Sequence, residues 1–181
     1  LVWDFLKAKK CAVVVRTIET LHNYGYSSNL IFDYGIKNLY NSLVKDKQIS
    51  LINSHIENMF SGYTQIFCDS SCKENGEVTA AICIPRLNFN AAVKLSNYSN
   101  SLLAEIFAIF FAIICLNRKN LNIRNKVVIF SDSLFAIDSI RSGFSKNHPL
   151  TLLDIFLSIS LLPAIEITFS WVPAHVGIEG N

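Results

Sequence analysis

The stretch "KVVIFSDSLFAIDSI", residues 126–140, changes its hydrophobic pattern at Asp132. The residues "KVVIF" before this acid are continuously apolar after the first lysine, which is typical of a central strand buried on both faces of a sheet. The residues "SLFAIDSIRSG" after it predict a short helix that ends at Gly143. A buried strand that leads directly into a helix indicates an α/β domain, with Asp132 at the carboxyl end of the strand.

Further strands and helices are predicted on both sides of this unit. Turn residues, including Asn75-Gly76 and Pro85, separate three closely spaced upstream strands, which favours an antiparallel meander. The element order β-β-β-α-β-α-α-β predicts an α/β fold on one mixed five-stranded sheet flanked by helices. The predicted strands are residues 63–68, 78–84, 89–95, 126–130 and 165–171, and the predicted helices are residues 100–120, 133–143 and 149–162.

Residues 1–62 differ from the rest of the chain in their pattern of apolar and charged positions. The stretches 1–25 and 36–60 mix apolar and charged positions as helices do, and Ser61-Gly62 is a natural break after them. We therefore divide the chain into a mainly helical segment, residues 1–62, and an α/β domain, residues 63–181. Because the sequence starts with leucine and stops directly after Gly180, we expect it to be an internal part of a longer protein.

Composition restricts the class of protein. Of the 181 residues, 51% are hydrophobic and 17% are charged, which favours a well-filled core over disorder. The five cysteines form no Cys-x-x-Cys pair and no zinc-finger spacing with histidine, so we expect no zinc and reduced thiols in an intracellular protein, cytoplasmic or nuclear. The most apolar stretch, residues 102–116, contains Glu105 and is shorter than the roughly 20 residues that span a bilayer, so we expect no membrane segment.

Three acids occupy positions that are predicted to lie close together. Asp69 and Asp132 each follow a predicted strand, and if these strands are parallel neighbours both carboxylates emerge at the same sheet edge. Glu105 lies one turn into an apolar helix, on the side predicted to face the sheet, where an unpaired charge is costly. Adjacent carboxylates repel one another unless a cation lies between them, and Mg²⁺ prefers oxygen ligands. A strand-end Asp is also a common turn residue and a helix Glu is often solvated, so the pattern alone leaves both interpretations open.

Four motifs together indicate a family: "IFCDSS", "AEIFAI", "VIFSDSLFAIDSI" and "FSWVPAHVGIEGN". With them, residues 63–181 resemble the type 1 ribonuclease H domain, in particular the version at the end of non-LTR retrotransposon polyproteins. The resemblance implies an endoribonuclease that hydrolyses the RNA strand of RNA–DNA hybrids with two Mg²⁺ ions, for which Mn²⁺ is a substitute. It also implies a covalently linked reverse transcriptase, of which residues 1–62 would be the tail or a connection region.

The same resemblance implies roles for individual residues. Asp69, Glu105 and Asp132 correspond to the first three metal-binding carboxylates of the family and would be catalytic. His175 corresponds to the histidine of the mobile loop after the last strand, which assists proton transfer or product release. The implied substrate contacts are Ser70, Ser71 and Ser133.

Two departures from the family pattern keep other functions open. The family usually has Asp-Gly-Ser where this chain has Asp69-Ser70-Ser71, and the added side chain would narrow the approach of a substrate. The fourth carboxylate of the family is expected a few residues beyond Asn181. One alternative is therefore a catalytically inactive, nucleic-acid-binding remnant of a retroelement. The other is a different nuclease or strand transferase on the same fold, and the "WVPAHVG" stretch argues against it.

Overall fold

The structure is a computed structural model and describes five ranges of the chain, 30–42, 45–95, 100–117, 123–162 and 165–174. The strands are β1 (Leu30–Asp33), β2 (Thr64–Cys72), β3 (Val78–Ile84), β4 (Phe89–Leu95), β5 (Lys126–Ser131) and β6 (Glu166–Trp171). The helices are α1 (Gly35–Ser42), α2 (Lys45–Phe60), α3 (Ser101–Leu116), α4 (Leu134–Ser142) and α5 (Pro149–Ser160), with a 3-10 turn at Pro85–Leu87. The strands form one mixed sheet in the order β1-β6-β5-β2-β3-β4, which confirms the predicted α/β class.

The sheet has six strands in the described residues, and the prediction of five was wrong in this respect. The additional strand, β1, belongs to the segment that was predicted to be mainly helical, and it pairs parallel to β6. Its Phe32 stacks on Phe169 with the ring centroids 5.3 Å apart. A run of four residues is too short to show a strand period. The boundary between residues 62 and 63 stays a prediction, and the helix predicted over 1–25 lies outside the described residues.

The centre of the sheet brings the two predicted strand-end acids to one edge. β2 and β5 are parallel neighbours, with Cys68 opposite Ser131 at the end of their ladder. The prediction that β2 ends before Asp69 was wrong, because β2 continues along β3 until Cys72 lies opposite Val78. Asp69 is therefore inside a strand, yet it is the first residue beyond the parallel ladder. The antiparallel β2-β3-β4 meander is confirmed.

Helices pack on both faces of the sheet. On one face of the sheet, α3, α4 and α5 form a large apolar cluster with strand residues that include Ile66, Ile129 and Phe169. On the other face, residues of α1 and α2 pack around Phe67 and Phe130. The buried side chains of α2 recur every four residues, as expected for one face of a helix; they are Ile52, Ile56 and Phe60.

Local hydrogen bonds define where the helices near the sheet edge begin and end. The side chain of Asn100 accepts the backbone N–H of Leu103 and caps α3. Ser133 caps α4 in the same way, and α4 ends at Gly143, whose φ of 66° suits a residue without a side chain. In the part of the chain that the structure describes, no helix combines the length and the apolar character needed to cross a membrane.

Candidate active site

Carboxylates from three separate elements converge at the carboxyl edge of β2 and β5. Asp69 lies on β2, Glu105 on α3, and Asp132 directly after β5. One oxygen atom of each carboxylate lies within 4.8 Å of the others, and all three side chains are half-buried. Each acid is placed by a different part of the fold, so their proximity results from strand pairing and helix packing together.

Three hydrogen bonds stabilise the turn that contains Asp132. The hydroxyl of Ser131 accepts the backbone N–H of Ser133 at 3.2 Å, and the hydroxyl of Ser133 accepts the N–H of Ala136 at 3.2 Å. The indole Nε1–H of Trp171 donates to the carbonyl oxygen of Asp132 at 2.8 Å. These bonds restrain the backbone on which the Asp132 carboxylate is mounted.

Glu105 is the acid of this cluster whose pKa the surroundings raise. Burial, and then the charges of Asp132 and Asp69, raise the pKa of Glu105 to about 7, although a hydrogen bond from Ser70 acts in the opposite direction. At an effective dielectric constant near 20, two unit charges 4.8 Å apart repel each other by about 3 kcal/mol. Three ionised carboxylates at this distance are therefore unfavourable without a compensating charge.

The two oxygen atoms of Glu105 have different surroundings. Oε1 accepts the hydroxyl hydrogen bond of Ser70. Oε2 is buried and has no hydrogen-bond partner. A buried polar atom without a partner costs about 1–3 kcal/mol, so Oε2 is an acceptor that the folded chain leaves unsatisfied.

A comparison with protein families gives a match over most of the chain. A model of the RNase H family matches residues 61–181. The chain belongs to the RNase H family. Its type 1 ribonuclease H domain is a nucleic-acid-binding hydrolase that acts on the RNA strand of RNA–DNA hybrids. A comparison with curated proteins finds no match.

The acid cluster of the RNase H domain fits a hard divalent cation. Carboxylate oxygens are the ligands that Mg²⁺ and Mn²⁺ prefer. A cation between Asp69, Glu105 and Asp132 would offset their repulsion and give Glu105 Oε2 a partner. In the described residues, no second group of three such side chains comes equally close.

The structure describes three of the other four predicted site residues of the RNase H domain. Ser70 joins it through its hydrogen bond to Glu105, a contact that the sequence did not indicate. Ser133 follows Asp132 directly and caps α4. Ser71 is exposed near the end of β2, opposite Thr79. His175 lies outside the described residues, so its predicted role stays a prediction.

Sequence reasoning missed the contact that Trp171 makes with the site. The tryptophan was noted only as part of the "WVPAHVG" motif, whereas the structure shows its indole bound to the Asp132 backbone, 39 residues away along the chain. No local pattern reports a hydrogen bond between residues so far apart. A tryptophan at the end of a strand adjacent to the central strand was the one available signal.

Proposed function

We propose that this ribonuclease H is metal-dependent, with two Mg²⁺ ions held by Asp69, Glu105 and Asp132. The observation that carries the proposal is the convergence of three carboxylates within 4.8 Å, one of which, Glu105, has a buried oxygen without a hydrogen-bond partner. Bound there, the ions would activate a water for in-line attack on the phosphodiester and stabilise the leaving 3′ oxygen. Asp69 lies on β2, which pairs with β5 and packs against α3, and it would hold the ions together with the other two acids.

The residues of the chain would supply orientation and substrate choice. The Ser70 hydroxyl holds Glu105 by Oε1 and would orient its carboxylate for the cation. The Ser133 cap and the Trp171 indole hold the backbone of Asp132. Substrate 2′-hydroxyls, which distinguish RNA from DNA in the shallow minor groove of an A-like duplex, would contact Glu105 and the backbone near Ser71. His175 would assist proton transfer or product release.

The experiment is single-turnover cleavage of a hybrid whose RNA strand is labelled. With Mg²⁺ or Mn²⁺ we expect the RNA strand to be cut, and with EDTA we expect no cleavage. Duplex DNA and the DNA strand of the hybrid should stay intact. Asp69→Asn, Glu105→Gln and Asp132→Asn should each remove most of the activity, because each removes one charged ligand while keeping the side-chain size.

The matched control is Asp154→Asn on α5, an isosteric change at an exposed acid outside the cluster. It should cut at the wild-type rate. Cleavage that persists in EDTA, or equal cutting of both strands, would contradict the proposal. A folded wild-type chain that binds Mg²⁺ and hybrid but does not cut would instead favour the inactive remnant of a retroelement.

The proposal includes a biological context, which rests on the resemblance of the motifs. The domain would act within a retrotransposon polyprotein, inside the cell, and covalently linked to a reverse transcriptase. The net charge of +2 supports this, because few phosphate contacts give weak affinity and a linked polymerase would raise the local concentration of hybrid. The reading frame upstream of Leu1 tests it: reverse-transcriptase motifs there would support the proposal, and an unrelated domain would overturn it.

A further inference from the structure

Residues 34–40 lie at the sheet edge that carries the acid cluster, yet they precede the range matched by the family, 61–181. β1 places them there by pairing parallel to β6, so that Asp33 lies opposite Ser170. The Ser170 hydroxyl donates to Asp33 at 3.0 Å, and the N–H of Gly35 donates to the same carboxylate at 3.1 Å. The start of α1 is therefore tied to the end of β6.

α1 contacts the residue that holds Asp132. The ring of Tyr40 packs edge-on against the indole of Trp171, with the centroids 5.5 Å apart and the planes at 72°. The same indole donates its N–H to the carbonyl oxygen of Asp132 at 2.8 Å. Trp171 is half-buried and packs against both apolar clusters of the sheet, and Tyr40 belongs to one of them.

A second contact holds the helix that follows the Asp132 turn. The hydroxyl of Tyr34 donates to Asp138 on α4 at 2.6 Å. The guanidinium of Arg141, also on α4, lies 5.5 Å from the centroid of the Tyr34 ring. Because α4 begins directly after Asp132 and Ser133, a contact that holds α4 also restrains the turn.

We propose that residues 34–40 are a positioning element for Asp132. Tyr40 holds the Trp171 indole, the indole holds the Asp132 carbonyl, and Tyr34 holds α4, the helix that follows the Asp132 turn. The inference rests on the proposed function, in which Asp132 is a metal ligand. Misplacement of a reacting group by about 1 Å can cost about 100-fold in rate, so a restraint from residues that precede the family-matched range can matter for turnover.

The test uses variants of the full chain that remove one link at a time. Trp171→Phe keeps an aromatic ring and removes the N–H donor. Tyr40→Leu removes the edge contact, and Tyr40→Phe restores the ring without the hydroxyl. The matched control is Phe32→Leu, which removes a stacked pair with Phe169 from the same segment but has no hydrogen-bonded route to Asp132.

We expect Trp171→Phe and Tyr40→Leu to lower kcat about tenfold and to raise the Mg²⁺ concentration at half-maximal rate several-fold. The KM for the hybrid should change less than twofold, because no substrate contact is removed. Tyr40→Phe and Phe32→Leu should keep the wild-type kcat and Mg²⁺ dependence, although Phe32→Leu lowers the melting temperature. If kcat follows the melting temperature through all four variants, or if Trp171→Phe keeps the wild-type kcat, the positioning role is excluded.

A measurement without catalysis separates this inference from the proposed function. In the metal-free, ¹⁵N-labelled protein, the indole N–H signal of Trp171, assigned by its loss in Trp171→Phe, should exchange faster with solvent in Tyr40→Leu than in Phe32→Leu. Faster exchange with an inactive wild type would mean that the coupling is present and the proposed function is wrong. Equal exchange in the two variants would overturn the positioning element even if the wild type cuts hybrids.

Discussion

Glu105 and Glu77 show how differently two regions of the molecule treat the same side chain. Glu77 lies in the exposed turn between β2 and β3, where Lys94 at 2.5 Å and Lys73 at 3.2 Å bind its two oxygens. Hydrogen bonds from Lys94, and then from Lys73 and Asn75, lower the pKa of Glu77 to about 2. Burial and two neighbouring acids raise the pKa of Glu105 to about 7.

The pKa values of the two acids differ because burial acts on Glu105 and because their neighbouring side chains carry opposite charges. At the β2-β3 turn an acid meets bases, so the chain satisfies the charge with its own side chains. At the carboxyl edge of β2 and β5 acids meet acids, and one oxygen is left buried without a partner. An arrangement that is unfavourable within the folded chain is characteristic of a site that binds something from outside.

The largest expected difference between the two regions is in cleavage rate. Asp132→Asn should lower the single-turnover rate about 100-fold or more at saturating Mg²⁺, which corresponds to about 3 kcal/mol of transition-state stabilisation. Glu77→Gln, the same kind of change at the turn, should leave the rate within twofold. The two variants are compared with the wild type on one hybrid. An Asp132→Asn rate within threefold of wild type would show that this carboxylate is not a ligand.

The pH dependence of Mg²⁺ binding should be the next largest effect. Below pH 7 the metal-free Glu105 carboxyl is protonated and must lose its proton to bind a cation. The apparent Mg²⁺ affinity should therefore rise up to about tenfold per pH unit as the pH approaches 7, and level off above about pH 8. Calorimetric titration with Mg²⁺ between pH 5.5 and 8.5 measures this. Glu105→Gln should bind Mg²⁺ weakly, and its affinity should depend less on pH. If the affinity of this variant rises with pH as steeply as that of the wild type, the proton that is lost belongs to another group.

The same shift has an opposite consequence for the stability of the metal-free protein. Because the folded-state pKa of Glu105 is raised from 4.5 to about 7, the folded chain binds a proton that the unfolded chain has already lost in this window. The contribution of Glu105 to the free energy of unfolding is therefore present below pH 4.5 and is lost as the pH rises through 7. Thermal melts of wild type and Glu105→Gln in EDTA should diverge as the pH rises, in favour of the variant.

A smaller effect is expected from Ser70, whose hydroxyl lowers the pKa of Glu105. Ser70→Ala and Ser70→Gly should raise that pKa further, so cleavage at pH 7 should fall several-fold and recover by about pH 8.5. The recovery at high pH identifies protonation as the cause, because lost packing would not be repaired by pH. If Ser70→Gly is faster than wild type at both pH values, the serine acts as a crowded glycine position, and its hydrogen bond is unimportant for the rate.

The smallest effect is expected at the turn itself. The pKa of Glu77 is lowered, so its pairing with Lys94 and Lys73 contributes stability above pH 4.5 that is lost as the pH falls toward 2. The lysine side chains are largely exposed and solvent screens the pairs. Glu77→Gln should therefore lower the melting temperature by about 2 °C or less at pH 7. A larger loss would mean that the lysine pairs hold the β2-β3 hairpin together.

The sequence by itself determined the features that depend on neighbouring residues. The apolar run of β5 and the glycine after α4 each have a recognisable local pattern. The strand-end acids could be placed at one edge because parallel strands align their carboxyl ends. Helix spacing placed Glu105 on the side that faces the sheet, so the three acids were predicted to lie close together.

Only the tertiary structure decided the features that join distant parts of the chain. β1 is a strand because β6 lies beside it, and the hydrogen bond that closes this pair joins residues 137 positions apart. The Trp171 indole meets the Asp132 carbonyl across 39 positions, and Ser70 meets Glu105 across 35. The pKa of Glu105 depends on burial and on charges from two other elements. Periodicity and propensity are local properties, whereas these contacts exist only once the path of the chain has brought the groups together.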